Sequence, residues 1–529
     1  MSSENSSRAE PIRTLGDIAR THARERPEAI AAKFEGRTTT YKMFDAHTNK
    51  VANGLLQSGL GASERIGYLA KNSDHYFELL FGAAKMRAVC LPIGWRLAAE
   101  EVAYILNDSE VSLLFVGGEF ADLAKAAIER AGRPIRVIHL ESASADGYAD
   151  WRDAASADDP GIEIKPADTA LQLYTSGTTG RPKGVLLTHR NLLEVWIAAR
   201  EAGLQWNQWS PDDVCVAAMP AAHIGGTSWG VVALLEGACS VILREFDPPT
   251  VLKLMEAERI SRMFMVPAAL NFLIRTPGAR DVDYSRLKII FYGASPIPLD
   301  LLRACMDVFG CDFCQQYGMT EACGTIVYLP PEDHDRNGNR RMRAAGLPMP
   351  GVEIKIIDAD GTALPPETVG EVATRSSSTM AGYWRNEAAT ADAIDADGWL
   401  RTGDAGYLDT DGYLYIHDRV KDMIISGAEN IYPAEVESAM FGHPDIADVA
   451  VIGVPDEKWG EAVKAIVVLK PDAAADANDI IAFTRSRIAA FKAPKSVDFI
   501  EALPRNASGK VLKRTLREPY WSGKDRAVN

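Results

Sequence analysis

Cysteine is sparse. The 529 residues contain seven (Cys90, Cys215, Cys239, Cys305, Cys311, Cys314 and Cys323), too few for a disulfide framework in so long a chain. Cys311 and Cys314 form a C-x-x-C, but no second such pair follows and His334 lies too far on for finger spacing. They read as structural thiols rather than a redox pair or metal ligands. Positive charge is also in deficit. A formal charge of −15 and a pI near 5.2 argue against a nucleic-acid coat or a chain drawn to anionic lipid, though not against one polyanion held in a locally basic pocket. Long apolar runs are missing too. Residues 214–235 carry no formal charge, but Pro220, His223, Gly225, Gly226, Thr227 and Ser228 interrupt the middle, where a spanning helix needs about 20 continuous apolar residues. The stretch reads as a buried strand over 214–219, a loop, and a helix over 227–235. Residues 1–12 are a polar tail carrying acid, unlike a secretory signal, and a reducing cytoplasm is the expected compartment.

The composition, 47% apolar and 24% charged, is that of a soluble globular chain. Through the first two-thirds, short β-rich runs alternate with helical stretches: strands over 65–70, 88–92, 112–116 and 136–140, with helices over 74–86, 98–106 and 120–131 between them. The beat returns in strands over 239–243, 262–266 and 287–292. Near-continuous apolar strands spaced by helices imply parallel sheets covered on both faces. After about residue 345 alternating runs around Asp360-Gly361 and Asp411-Gly412 indicate antiparallel strands joined by turns. From Lys421 onward a smaller α+β unit is expected. Pro433 opens a helix over 434–441, followed by strands over 449–454 and 462–469 and a helix over 479–491. The expected class is α/β: a large domain (13–418) of parallel βα layers plus a barrel-like antiparallel part, a hinge (419–421), and a small mobile α+β domain (422–529).

The stretch Tyr174-Thr-Ser-Gly-Thr-Thr-Gly-Arg-Pro-Lys-Gly184 packs three glycines, four Ser/Thr hydroxyls and two cations into eleven residues. Glycines free the backbone to aim N–H groups at an anion, hydroxyls add donors, and cations offset phosphate charge. Pro182 stands where a Walker loop wants glycine before the lysine. Taken alone, the stretch reads more readily as a solvated Ser/Thr/Gly turn.

It resembles the phosphate loop of AMP-forming acyl-CoA synthetases, the adenylate-forming superfamily, most of all the bacterial fatty acyl-CoA ligases. Five further runs stand in the same order as in that family: Gln316-Tyr-Gly-Met-Thr-Glu321, Arg401-Thr-Gly-Asp404, Asp418 to Gly427, Glu429-Asn-Ile-Tyr-Pro433, and Pro504-Arg-Asn-Ala-Ser-Gly-Lys510. The resemblance implies that Thr175, Ser176, Gly177, Thr178, Thr179 and Lys183 hold phosphates. It implies that Gly293, Ala294, Ser295, Gln316, Tyr317 and Gly318 surround the adenine, Tyr317 offering its ring face. Asp404 and Arg419 would meet the ribose, Thr320 the α-phosphate, and Glu321 would hold Mg²⁺, which takes one or two protein carboxylates plus phosphate oxygens. Lys510 is the adenylation lysine by resemblance, Lys421 the hinge, and Ser426, Gly427 and Ala428 the CoA channel. His223 is expected beside the acyl carboxylate, with Trp229, Val266 and Gly318 lining an acyl tunnel.

The implied reaction converts a carboxylic acid, ATP and CoA to acyl-CoA, AMP and pyrophosphate through an acyl-adenylate, on a medium- to long-chain fatty acid. An aryl or other specialised acid, or a carrier protein as acceptor, stays open, as does a nucleotide sensor without catalysis. No nucleic-acid partner is expected. Weak peripheral membrane contact goes only with a long-chain acid, and a homodimer is left open.

Overall fold

The computed structural model describes residues 11–141, 147–175, 181–419, 422–426, 429–505 and 511–522, and for residues 418, 419, 429 and 430 the backbone alone. Among these residues the strands form four sheets. The nine-stranded sheet has a parallel centre, running Asp312–Tyr317, Ile289–Gly293, Arg262–Met265, Val214–Ala217, Cys239–Ile242 and Ile30–Phe34 from neighbour to neighbour, with antiparallel strands at both edges. The seven-stranded sheet is parallel from Thr169–Thr175 through Val89–Pro92, Arg65–Leu69 and Leu113–Val116 to Arg136–His139, and closes with antiparallel Lys183–Thr188 and Gly382–Tyr383.

One continuous core lies between these two sheets and swallows the helices Tyr41–Gln57, Asp74–Lys85, His189–Glu201 and Ile224–Leu235. Helices Pro248–Ala257, Pro267–Arg275 and Leu299–Phe309 cover the outer face of the nine-stranded sheet, and Ala99–Asp108 and Ala121–Ala131 that of the other. Burial on both faces explains the unbroken apolar runs. In Ile289–Gly293, Ile289 and Phe291 enter the inner core while Ile290 and Tyr292 enter the outer one, the period of two that a pleated strand imposes.

The strands Glu353–Ile357, Gly370–Arg375, Leu400–Leu408 and Leu414–Arg419 make a four-stranded antiparallel sheet. The C-terminal sheet centres on the long hairpin Ile446–Asp456 with Gly460–Leu469, flanked by Ile424–Ser426, Glu429–Ile431 and Ser496–Phe499.

Two helices differ from their sequence expectation. The helix expected over 479–491 runs Ala477–Arg485. Asp476 accepts from the Asn478 and Asp479 amides and starts it early. Ser486 turns its hydroxyl onto the Phe483 carbonyl and ends it, local competition that stops a helix. The helix expected from 227 starts at Ile224, so Gly225 and Gly226 lie inside its first turn rather than in a loop. At its other end it is too short to span a bilayer, and no described helix is long and apolar enough to do so.

Candidate functional site

Ile289–Gly293 and Asp312–Tyr317 end side by side, Gly293 opposite Gln316. A Cβ on Gly293 would stand 2.0 Å from the Gln316 carbonyl oxygen, so only glycine allows this approach. The chain leaves the strand through Ala294 at φ +67°, uncommon for a residue with a Cβ. Ala294 and Ser295 are exposed there, at the carboxyl ends where open α/β sheets bind ligands. Gln316 is buried, and its Nε2 has no partner among the described residues. A buried amide in that state gains from any ligand that accepts from it.

Beyond Tyr317 the chain folds back sharply. The Gly324 amide donates to the Met319 carbonyl at 2.9 Å and the Ile326 amide to the Tyr317 carbonyl at 2.9 Å. A Cβ on Gly318 would lie 1.5 Å from the Gly324 oxygen, which fixes that position as glycine for backbone reasons. The fold-back holds Thr320 and Glu321 in a short 3₁₀ turn, Thr320–Ala322. Glu321 is 8% exposed. Its Oε1 accepts from the Thr175 hydroxyl at 3.2 Å and the Tyr383 hydroxyl at 3.1 Å, both neutral, and among the described residues it has no ion pair.

Thr175 pairs with Lys183 across the two strands that flank the glycine-rich loop. The Lys183 Nζ lies 4.9 Å from the Tyr383 ring centroid, within cation–π range. Tyr383 is itself fixed by strand pairing with Val185. The loop's base and Glu321 are thus joined through one tyrosine that the motifs did not mark. Its only sequence signal is the Gly382-Tyr383-Trp384 run inside a polar stretch.

Asp404 comes from the four-stranded sheet and is 6% exposed. The Tyr317 hydroxyl donates to its Oδ2 at 2.6 Å, and its amide donates to the Thr402 hydroxyl at 3.1 Å. Arg419 stands opposite Asp404 on the neighbouring strand. The structure therefore gathers Thr175, Lys183, Gly293, Gln316, Tyr317, Gly318, Thr320, Glu321 and Asp404 from three sheets. Ser426 ends Ile424–Ser426 in the C-terminal sheet, opposite Glu429. Ser176, Gly177, Thr178, Thr179, Lys421, Gly427, Ala428 and Lys510 lie outside the described residues.

The residues expected around the acid stand on different elements. His223 caps Ile224–Leu235, its carbonyl accepting from the Gly226 and Thr227 amides. Gly226 is pressed against Pro220, whose oxygen would be 2.2 Å from a Cβ, so this glycine seats the start of the helix. Trp229 is 5% exposed in the inner core and donates its indole N–H to the Val216 carbonyl at 3.0 Å. Val266 packs instead with the outer cluster that contains Met263, Met265 and Leu270, because the strand ends at Met265 and the chain turns into Pro267–Arg275. Cys311 and Cys314 are free thiols, Cys311 packed against that outer cluster and Cys314 in the inner core, and burial pushes both above the usual thiol range.

Glu321 fits a divalent cation that also holds phosphate. It is a hard oxygen donor with neutral company, and one or two protein carboxylates suffice for Mg²⁺ when phosphate oxygens and water complete the shell.

Glycine-tight ends of parallel strands, with the buried carboxylates of Glu321 and Asp404 close by, are the setting in which α/β enzymes hold a nucleotide, and the comparisons with known proteins agree. Residues 19–384 match the family model described as AMP-binding enzyme, and residues 435–510 that of the AMP-binding enzyme C-terminal domain. The chain belongs to this family. It is 40% identical over 519 residues to the fatty acid–[acyl-carrier-protein] ligase ScoC of Streptomyces coeruleorubidus, covering 98% of each chain. It is 36% identical over 510 residues to the feruloyl-CoA synthase of an Amycolatopsis species, covering 96% of this chain and 99% of the relative. The crystal structure of ATP-bound MatB from Rhodopseudomonas palustris superposes with a TM-score of 0.85 at 29% identity, over 96% of this chain and 99% of that one. The protein is an AMP-forming acid–thiol ligase that uses ATP with Mg²⁺, CoA being the family's co-substrate.

Proposed function

We propose that this chain makes acyl-CoA in two steps at the strand ends. The acid's carboxylate oxygen attacks the α-phosphorus of ATP, the bond to pyrophosphate breaks, and an acyl-adenylate forms. The CoA thiolate then attacks the acyl carbon and AMP leaves. The observation that carries this reading is Glu321: a buried carboxylate with no ion pair among the described residues, held by the hydroxyls of Thr175 and Tyr383, with Lys183 over the Tyr383 ring. Mg²⁺ bound there offsets the charge of the phosphates. Thr175, Thr320 and Lys183 orient phosphate oxygens, while Asp404 and Arg419 hold the ribose and Tyr317 the base. Lys510 stabilises charge building on the α-phosphate, an electrostatic role felt most in the transition state.

We assign residues 13–418 to the nucleotide and acid sites and 422–529 to a domain that turns about 419–421. The turn brings Lys510 up for the first step and Ser426 to Ala428 for the second, gating by domain motion. A fatty acid is one candidate substrate and an aryl acid the other, since the named relatives include both kinds. The name of ScoC also makes a carrier protein the alternative acceptor.

The test is pyrophosphate release across a panel of acids, with CoA, with a carrier protein, and with neither. Release that needs an acid supports the reading, and conversion of ATP to ADP alone would refute it. Lys510→Ala should lower acyl-adenylate formation by about 10²–10³-fold yet leave thioester formation from supplied acyl-adenylate intact. Equal loss in both half-reactions would remove Lys510 from the first step.

A further inference from the structure

The helix Ile224–Leu235 starts beside the fold-back that carries Glu321, where a Cβ on Gly324 would lie 3.6 Å from Ile224 Cγ1, and it belongs to the core between the two sheets. If the acid's carboxylate lies at His223, as the resemblance implies, an acid body extending inward meets the face that this helix packs on the nine-stranded sheet. Aromatic rings narrow that space. A Cβ on Gly225 would lie 3.0 Å from Phe264 Cε1, so the helix's first turn already rests on the strand Arg262–Met265. One turn further, the Trp229 ring meets Phe291 at 5.3 Å, Trp209 at 5.7 Å and Phe264 at 6.5 Å between centroids.

This wall is anchored. The Trp229 indole N–H is committed to the Val216 carbonyl, and turning the ring aside would strand that donor in an apolar core. The helix cannot back away either, because on its other side a Cβ on Gly230 would stand 2.1 Å from the Phe77 ring. Glycine at 225 and 230 lets aromatic rings clamp the helix from both faces.

We propose that the wall of Trp229, Phe264 and Phe291 restricts this ligase to compact acids, a single aromatic ring or a short chain, and excludes long-chain fatty acids. From His223 to Trp229 the axial rise is about 9 Å. A helical side chain leans back toward the N-terminus and takes up part of that depth, so an acid body must be shorter than this rise to stop in front of the ring. A flat acid gains further by stacking on the indole. This inference rests on the acid-activating reading above and departs from the medium- to long-chain expectation of the sequence.

The experiment is acid-dependent pyrophosphate release by the full-length wild-type protein with butyrate, hexanoate, benzoate, dodecanoate and hexadecanoate, each below its micelle concentration. The expected result is a kcat/KM at least tenfold higher for the best of the three compact acids than for either long one. Trp229→Leu keeps an apolar side chain but removes the ring, and should raise the dodecanoate-to-butyrate ratio at least tenfold. Phe264→Leu thins the same wall from the strand side and serves if the first variant does not fold. A wild type that prefers dodecanoate or hexadecanoate overturns the inference while leaving acid activation standing. So does a folded variant with an unchanged ratio. Absence of pyrophosphate release with every acid removes the underlying reading and this inference together.

Discussion

Glu78 and Glu321 are both buried glutamates, and their surroundings could hardly differ more. Glu78 sits in Asp74–Lys85 at 2% exposure. It accepts from His47 Nδ1 at 2.7 Å, the Tyr148 hydroxyl at 2.7 Å and Arg152 Nη1 at 3.0 Å, with His75 Nδ1 at 3.5 Å. Burial alone would raise its pKa, but the hydrogen bond from His47 and the nearby His75 ring hold it well below the usual carboxylate range. Among the described residues, the Glu321 carboxylate accepts from two neutral hydroxyls and has no ion pair. A carboxylate already neutralised by its own protein glues helices together. One left without a cation is available to a ligand that brings one.

The largest effect should come from breaking the first environment. Glu78→Ala leaves Arg152 and Tyr148 buried without their acceptor and should cost about 3–5 kcal/mol, seen as a lower denaturant midpoint with activity per folded molecule retained. Glu321→Gln should reverse that pattern: adenylation falls on the order of a hundredfold, while stability moves by less than about 1 kcal/mol. If the two variants behaved alike, the distinction between the sites would be lost.

Acid should separate a further pair of residues from Glu78. Burial lowers His189 and His334 to about 4. His189 Nδ1 accepts from the Leu15 amide, and His334 lies between the Pro330 carbonyl and the Tyr292 hydroxyl, so both are neutral in the fold. The unfolded chain takes up their protons first, near pH 6.5, so each histidine should remove about 1.4 kcal/mol per pH unit as the pH falls from there toward 4. The Glu78 contribution is present above its unfolded value near 4.3 and is lost only as pH drops through its lowered folded one. Urea unfolding at pH 7.5, 6, 5 and 4 checks this, and flat stability down to pH 5 would contradict it. The smallest expected change is Asp404→Asn, which keeps an acceptor for Tyr317 but loses the charge: the KM for ATP should rise about tenfold, measured at saturating acid.

The βα rhythm was legible because burial on both faces leaves an unbroken apolar signature, and the phosphate loop because glycine, hydroxyl and lysine crowd together only rarely. Helix ends were harder. The start at Ile224 depends on Gly225 and Gly226 being admitted to a helix by close packing on Phe264 and Pro220, which overrides glycine's poor propensity. The resemblance puts Val266 with Trp229 along an acyl tunnel, whereas Val266 packs against the outer cluster and Trp229 in the inner core. Tyr383 was missed because its role comes from strand pairing with Val185.

The sequence by itself determined the family, the layered α/β class and the identity of the chemical groups, since those follow from residue types at short spacings. Only the tertiary structure decided which of them meet: Thr175 with Glu321, Tyr317 with Asp404, and Trp229 with Phe264 and Phe291. Such contacts join residues tens to more than a hundred positions apart. Local pattern carries no record of that separation. It is set by how two sheets and the helices between them pack.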